Sequence, residues 1–176
     1  MRIGFTGTVS VGKTTLVNAL KELPEFAEYE FRTERSKYLR DLGIPLNTDS
    51  TLKGQIIFLA ERSSELFIEN MITDRTIIDV MAFTRLAKSI PYFMADDLND
   101  AISHLLREYD YIFYVSPEGV ELEDNGVRTI DPTYRMEVDK EIQNLIIRHK
   151  PKLRNYEELS GNTEERIKKI KQTLFS

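Results

Sequence analysis

Residues 7–15 read GTVSVGKTT and follow directly on an apolar segment, RIGF, at 2–5. Gly7, Gly12, Lys13 and Thr14 complete the spacing G-x-x-x-x-G-K-[ST], the pattern of a loop that cradles the phosphates of a nucleoside triphosphate. The flanks supply the context that this loop needs. Ile3 and Phe5 belong to a short run of strand character, and KTTLVNALKEL carries Leu16, Ala19, Leu20 and Leu23 at helical spacing. The glycines therefore fall in a strand-to-helix turn, where successive backbone N–H groups and the positive helix end converge on an anion. Gly7, Val9, Ser10, Val11, Gly12, Lys13, Thr14 and Thr15 are the candidate nucleotide contacts. Within this set Lys13 reaches the β- and γ-phosphates, and the Thr14 hydroxyl ligates Mg²⁺.

Composition narrows the rest. A chain of 176 residues suits one domain with a full core. The absence of cysteine excludes a disulfide framework and thiolate metal sites, which agrees with a reducing, cytoplasmic setting. No apolar run is long enough to span a bilayer, and an N-terminal core strand is unlike a signal peptide. The net charge of −5 argues against a broad nucleic-acid surface. A local basic cleft stays compatible with it.

Short apolar runs alternate with helical patterns along the whole chain, the signature of a parallel sheet covered by helices. Strands are expected near 2–7, 28–33, 70–74, 109–115 and 155–159. Helices are expected near 13–23, 34–42, 50–69, 77–89, 95–107, 133–149 and 163–174. Thr48, Asp49 or Ser50 offers an N-cap for the third helix, and Asp131 offers one ahead of Pro132. This makes an open α/β sheet, in which ligands collect at the carboxyl ends of the strands.

The acidic and basic residues at those ends are the candidates for chemistry. The second strand runs into FRTER, where Arg32 and Glu34 share a face. A carboxylate there could take a proton from an acceptor hydroxyl, and an arginine could grip a phosphate; a surface ion pair is the plain alternative. The third strand ends at Asp74, beside the first strand, where an acid holds Mg²⁺ through water. Arg75 follows, and Asp79, one helical turn on, either orients Arg75 or caps the helix. The segment of about 117–136 is polar and glycine-containing, with the character of a lid. Arg128 and Arg135 are its cations, suited to closing over the β–γ bridge. The RIKKIK run near the C-terminus reads as a solvated helix face, and His104 and His149 read as structural.

Taken in order, GTVSVGKTTLVNAL, TERSKYL, DRTIIDVMAF, YDYIFYVSP, DNGVRTIDPTYR and YEELSGNTEERIKKI resemble the P-loop kinases related to ribosylnicotinamide kinase. That group is similar in turn to deoxynucleoside and thymidylate kinases, and the resemblance covers nearly the whole chain. It implies a P-loop NTPase fold with a five-stranded parallel sheet, helices on both faces and a lid. It further implies ATP and Mg²⁺ as cofactors and Glu34 as catalytic base or acceptor contact. Asp74 and Arg75 would flank metal and phosphate, Arg128 and Arg135 would belong to the lid, and backbone near Ser160 to Thr163, Asn162 included, would border the adenine. One departure concerns Lys37, where related chains often carry arginine; lysine lacks the bidentate fork. On the third helix Gln55, Leu59 and Arg62 share a face. A glutamine on the equivalent helix of related nucleoside kinases reads the base edge, so Gln55 and Arg62 join Arg32, Glu34, Lys37 and Arg75 as acceptor contacts. The alternative is that Gln55 merely opens a buried stripe led by Ile56, Leu59 and Leu66.

The acceptor itself stays open between a nucleoside hydroxyl, aligned by Glu34, and a monophosphate, held by Arg32, Arg35 and Arg75. A kinase acting on a base or hydroxyl within DNA or RNA is a rival, and so is a regulatory NTP-binding protein. A regulatory GTPase would need N-K-x-D and D-x-x-G motifs after strands, and neither occurs in that context.

Overall fold

The computed structural model describes residues 1–33, 36–119 and 131–175, with Ser36 and Lys37 as backbone alone. Five strands, β1 (Arg2–Thr6), β2 (Glu30–Arg32), β3 (Met71–Asp74), β4 (Tyr111–Val115) and β5 (Tyr156–Leu159), form one sheet in the order β2-β3-β1-β4-β5. Every pairing is parallel. The described helices are α1 (Lys13–Lys21), α2 (Ser36–Asp41), α3 (Leu52–Glu65), α4 (Ile77–Leu86), α5 (Tyr92–Ile102), α6 (Pro132–His149) and α7 (Thr163–Phe175). The open, all-parallel α/β sheet is the one that the alternating pattern predicts.

Side-chain alternation along the strands divides the core in two. Ile3, Phe5, Ile72, Phe113, Val115 and Leu159 face α1 and α7, packing with Leu16, Val17, Leu20 and Ile170. Met71, Ile112 and Tyr114 face the other way, onto α4, α5 and α6. Burial on both faces explains why these strands read as near-continuous apolar runs. The same alternation puts Asp74 on the α1 side of β3 and Thr73 on the α3–α4 side.

Two local expectations are corrected. The third helix is capped by Thr51, whose Oγ1 accepts from the Gly54 amide at 3.2 Å. Asn47, with φ of +57°, opens a 3₁₀ turn through Asp49, and Ser50 bonds back to the Asn47 carbonyl, so none of the three expected residues is free to cap. The fifth helix starts at Tyr92 rather than near 95 because Pro91, with φ of −59°, presets the entry. Beyond Ile102 the chain continues as a 3₁₀ helix, Ser103–Glu108. By contrast, Asp131 caps α6 as expected, accepting from the Thr133 amide at 2.9 Å ahead of Pro132. Of the two histidines, His149 is buried in the α6 terminus while His104 is exposed.

Gly4, in the middle of β1, marks a close approach of the strand to the start of α4. A Cβ there would lie 2.4 Å from the Thr76 methyl and 3.1 Å from the Tyr109 ring. Thr76 cannot rotate away without giving up its helix cap, which accepts from the Ile78 amide at 3.1 Å. Gly4→Ala is therefore expected to lower stability by about 1–3 kcal/mol, read as an earlier urea midpoint with unchanged m-value.

Candidate nucleotide site at the carboxyl edge of the sheet

The loop between β1 and α1 is shaped by glycine where nothing else fits. Gly7 has φ of +148°, and a Cβ on it would come within 2.6 Å of the Val115 carbonyl oxygen of β4. Gly12, at φ of +81°, ends the loop as N-cap of α1, with no side-chain cap bond and no acidic residue in the first turn. The first amides of α1 and its dipole thus meet no anion supplied by the cap or first turn. The loop carbonyls, meanwhile, are gripped by cations. Lys13, 3% exposed, donates from Nζ to the carbonyls of Gly7 and Thr8 at 2.8 and 2.6 Å. Arg135, in the first turn of α6, donates from Nη2 to the Ser10 carbonyl at 3.2 Å, and its own carbonyl accepts from Thr8 Oγ1 at 2.7 Å. Arg166 of α7 donates to the Val11 carbonyl at 2.7 Å and to the Ser116 carbonyl, at the β4 exit, at 3.1 Å.

Asp74 closes the site from β3. The parallel register pairs it with Phe5, one residue before the end of β1, so its side chain faces the start of α1. Thr14 Oγ1 donates to Asp74 Oδ2 at 2.5 Å. The carboxylate is fully buried, and Oδ1 has no partner among the described residues. A buried, half-satisfied carboxylate beside a hydroxyl is a demand for a cation. The described residues contain no group of three or more acidic, histidine or cysteine side chains that would cage a metal. One carboxylate and one hydroxyl fit Mg²⁺, which keeps waters and takes its remaining oxygens from phosphates.

Arg75 takes φ of +115°, a region that non-glycine residues seldom enter. Its Nη1 donates to Asp79 Oδ1 at 2.8 Å and to the Gly7 carbonyl at 3.0 Å, and the guanidinium lies 5.1 Å from the Phe83 ring centroid. Asp79 performs both of its expected roles. Its Oδ2 accepts from the Thr76 amide at 2.8 Å, completing a capping box, while Oδ1 holds Arg75.

The other expected residues are less tightly gathered. Arg32 is half exposed and pairs with Glu30 on its own strand. It borders a cavity of about 380 Å³ between β2 and α3, whose lining also includes Phe31, Thr33, Arg62 and Glu65. Arg62 turns inward, with its side chain 1% exposed and paired to Glu65 at 2.7 Å. Gln55 is buried; its amide donates to Ser50 Oγ at 3.0 Å and accepts from Thr84 Oγ1 at 3.5 Å. Ile56, which the alternative reading places in a buried stripe with Leu59 and Leu66, is half exposed, and the inner face of α3 runs through Gln55, Leu59 and Arg62. Thr15 is exposed on α1, and Val9 and Val11 are buried beneath the loop. Asn162 exchanges hydrogen bonds with Glu165 at 2.9 and 3.0 Å and so caps α7. Glu34, Arg35 and Arg128 lie outside the described residues, as does the side chain of Lys37.

A family model described as AAA domain matches residues 2–166. The chain belongs to the AAA domain family. No curated protein matches it by sequence. Among solved structures, deoxyadenosine kinase from M. mycoides with the products dCMP and dCDP is similar with a TM-score of 0.71 at 20% identity, over 99% of this chain and 98% of that one. The same kinase with dATP gives 0.68 at 20% identity, with 100% of both chains covered. Thymidylate kinase from Ehrlichia chaffeensis gives 0.61 at 18% identity, over 98% of each. The fold of this AAA-domain chain is thus that of P-loop nucleoside and nucleotide kinases, as the sequence resemblance anticipates.

Arg166 is the correction that matters most here. Its run reads as a solvated face, yet the residue is 3% exposed, on the same side of α7 as the buried Ile170. Burial lowers its pKa below the usual arginine value, a penalty offset by the carbonyls it binds. The i, i+4 spacing to Ile170 was the one available signal. Arg166→Met leaves two loop-side carbonyls without a donor and is expected to cost about 2–4 kcal/mol of stability. Chemical denaturation measures this, and ADP titration of the folded variant should show weaker binding.

Proposed function

We propose that the chain acts as a single domain that transfers the γ-phosphoryl group of ATP, with Mg²⁺, to a nucleoside, nucleoside monophosphate or related small metabolite. The observation that carries this reading is the Thr14–Asp74 pair, with its unpartnered carboxylate oxygen, set between the phosphate loop and the Asp79-held Arg75. A regulatory NTP-binding protein needs the loop but has no evident use for an ordered arginine at the β3 exit. Support for the acceptor class comes from fold neighbours, among them a deoxyadenosine kinase with bound dCTP, at a TM-score of 0.68 and 18% identity. The net charge of −5 favours a small acceptor over a nucleic acid. No helix among the described residues is long and apolar enough to cross a membrane, in keeping with a cytoplasmic enzyme.

In this mechanism the α1 amides and Lys13 bind the β- and γ-phosphates, with Gly7, Val9, Ser10, Val11, Gly12 and Thr15 forming the surrounding loop. Thr14 and Asp74 would hold Mg²⁺, which would supply charge neutralisation for the bound phosphates. Arg75 faces the transferring group with its guanidinium oriented by Asp79, and Arg135, already docked on the Ser10 carbonyl, brings the lid helix to the loop. Glu34, a short step beyond β2, takes the acceptor proton, with Arg128 completing the lid. Arg32, Lys37 and Gln55 are the proposed acceptor-side residues, whereas Arg62, expected among them, is turned inward onto Glu65; the Asn162 segment borders the adenine.

ATP consumption assayed against nucleosides, nucleoside monophosphates, ribosylnicotinamide and single-stranded DNA tests the proposal. Stimulation by one small-molecule class is expected, with a phosphorylated product by mass spectrometry. Stimulation by DNA alone would make the chain a polynucleotide kinase, and none at all would leave it a regulatory NTPase. With the acceptor in hand, Lys13→Ala should abolish turnover in a folded protein. Glu34→Gln should lower kcat by on the order of 10²–10⁴ with little change in the KM for ATP.

A further inference from the structure

Behind the β3 exit lies a charged network that the phosphate chemistry does not itself use. Arg62 and Glu65, one helical turn apart on α3, are 1% and 6% exposed and meet at 2.7 Å. Thr73, fully buried, approaches Glu65 Oε2 at 2.8 Å and the Arg75 carbonyl at 3.2 Å. Its single hydroxyl proton serves one of them at a time. Arg62 Nη1 lies 3.2 Å from Thr73 Oγ1 and 3.5 Å from the Asp74 carbonyl. The network thus takes in the Thr73 side chain and touches the main chain of Asp74 and Arg75.

Such a pair is a poor device for stability, since well-packed apolar residues in its place are often neutral or better. Burial also works against Glu65, whose carboxyl pKa is raised by desolvation in spite of the Arg62 charge. What the network adjoins is the left-handed Arg75, a backbone state that persists only where its surroundings over-determine it. On the sheet side the Arg75 amide is held by the Phe5 carbonyl at 3.0 Å. The α3 side is held by Arg62, Glu65 and Thr73.

We infer that Arg62, Glu65 and Thr73 are positioning residues, fixing the β3-exit main chain so that Asp74 meets Thr14 while Arg75 meets Asp79 and Gly7. This assignment rests on reading Thr14 and Asp74 as the Mg²⁺–nucleotide site and adds residues that touch neither metal nor phosphate. It predicts that the network governs the metal dependence of nucleotide binding rather than nucleotide binding as such.

The test is calorimetric ADP binding to the full chain with and without Mg²⁺, read beside the unfolding midpoint. The double variant Arg62→Met/Glu65→Leu removes both charges together and so leaves no orphan. It should unfold at or above the wild-type midpoint and bind Mg²⁺-free ADP as wild type does. Its Mg²⁺-dependent tightening should fall by about 10–100-fold, as loss of outer-shell support does elsewhere. Thr73→Val should show part of this loss, and Thr73→Ser, which keeps the hydroxyl, should restore it. A folded double variant with undiminished Mg²⁺ tightening overturns the inference while leaving the nucleotide site standing. Wild-type protein whose ADP binding ignores Mg²⁺ overturns the site reading and this inference with it. Should the double variant fail to fold, the Thr73 pair decides on the same readout: equal Mg²⁺ tightening in Thr73→Val and Thr73→Ser refutes the positioning role.

Discussion

The hydroxyl of Thr14 and the carboxylate of Asp74 lie 60 residues apart in the chain and 2.5 Å apart in space. Most of the site depends on that contact. It requires β1 and β3 to be neighbours with Phe5 opposite Asp74, and α1 to leave the loop on the face to which Asp74 points. Strand alternation delivers the second condition, because Ile72 and Asp74 alternate with Met71 and Thr73 between the two faces. The contact satisfies one carboxylate oxygen and leaves the other buried without a partner. In a low-dielectric setting that is an unstable arrangement for an anion, and a bound cation relieves it.

Around this pair the protein collects positive charge against its overall balance. The chain carries a net −5, yet Lys13, Arg75, Arg135 and Arg166 all donate to carbonyl oxygens of the segment from Gly7 to Val11. These bonds do two things. They brace a loop whose Gly7 and Gly12 carry no side chains to pack, and they hold four cationic groups about a site that reads as polyphosphate-binding. Local field rather than net charge decides what such a cleft attracts. The α6 arginine Arg135 and the α7 arginine Arg166 approach the loop from helices on opposite faces of the sheet, so the loop also joins the two halves of the core.

The exit of β3 shows how much of a site can lie behind its visible residues. Asp74 and Arg75 lie at the phosphate loop, but their placement is shared with Asp79 on one side and with Thr73, Arg62 and Glu65 on the other. A backbone at φ of +115° on an arginine needs that many constraints. The buried Arg62–Glu65 pair is thus explained by geometry rather than by stability.

Sequence by itself determined the sheet, its five strands, the phosphate loop and the acid at the β3 exit. These signals are local: apolar periodicity, glycine spacing, and the Asp131 cap ahead of Pro132. Tertiary structure alone decided the placement of Arg62 and Arg166, and the intramolecular partners of Gln55. Arg166 reaches a carbonyl 155 residues away and another 50 residues away, so RIKKIK gives, through the i, i+4 spacing to Ile170, the face on which it lies but not what it binds. Arg62 is bound by a glutamate on its own helix and a threonine on the next strand, and Gln55 by Ser50 and Thr84. A helical wheel gives the face on which such residues lie, but whether that face meets a ligand or the protein's own strand depends on packing. The elements that pack there are distant in sequence, and their encounter is a property of the folded chain.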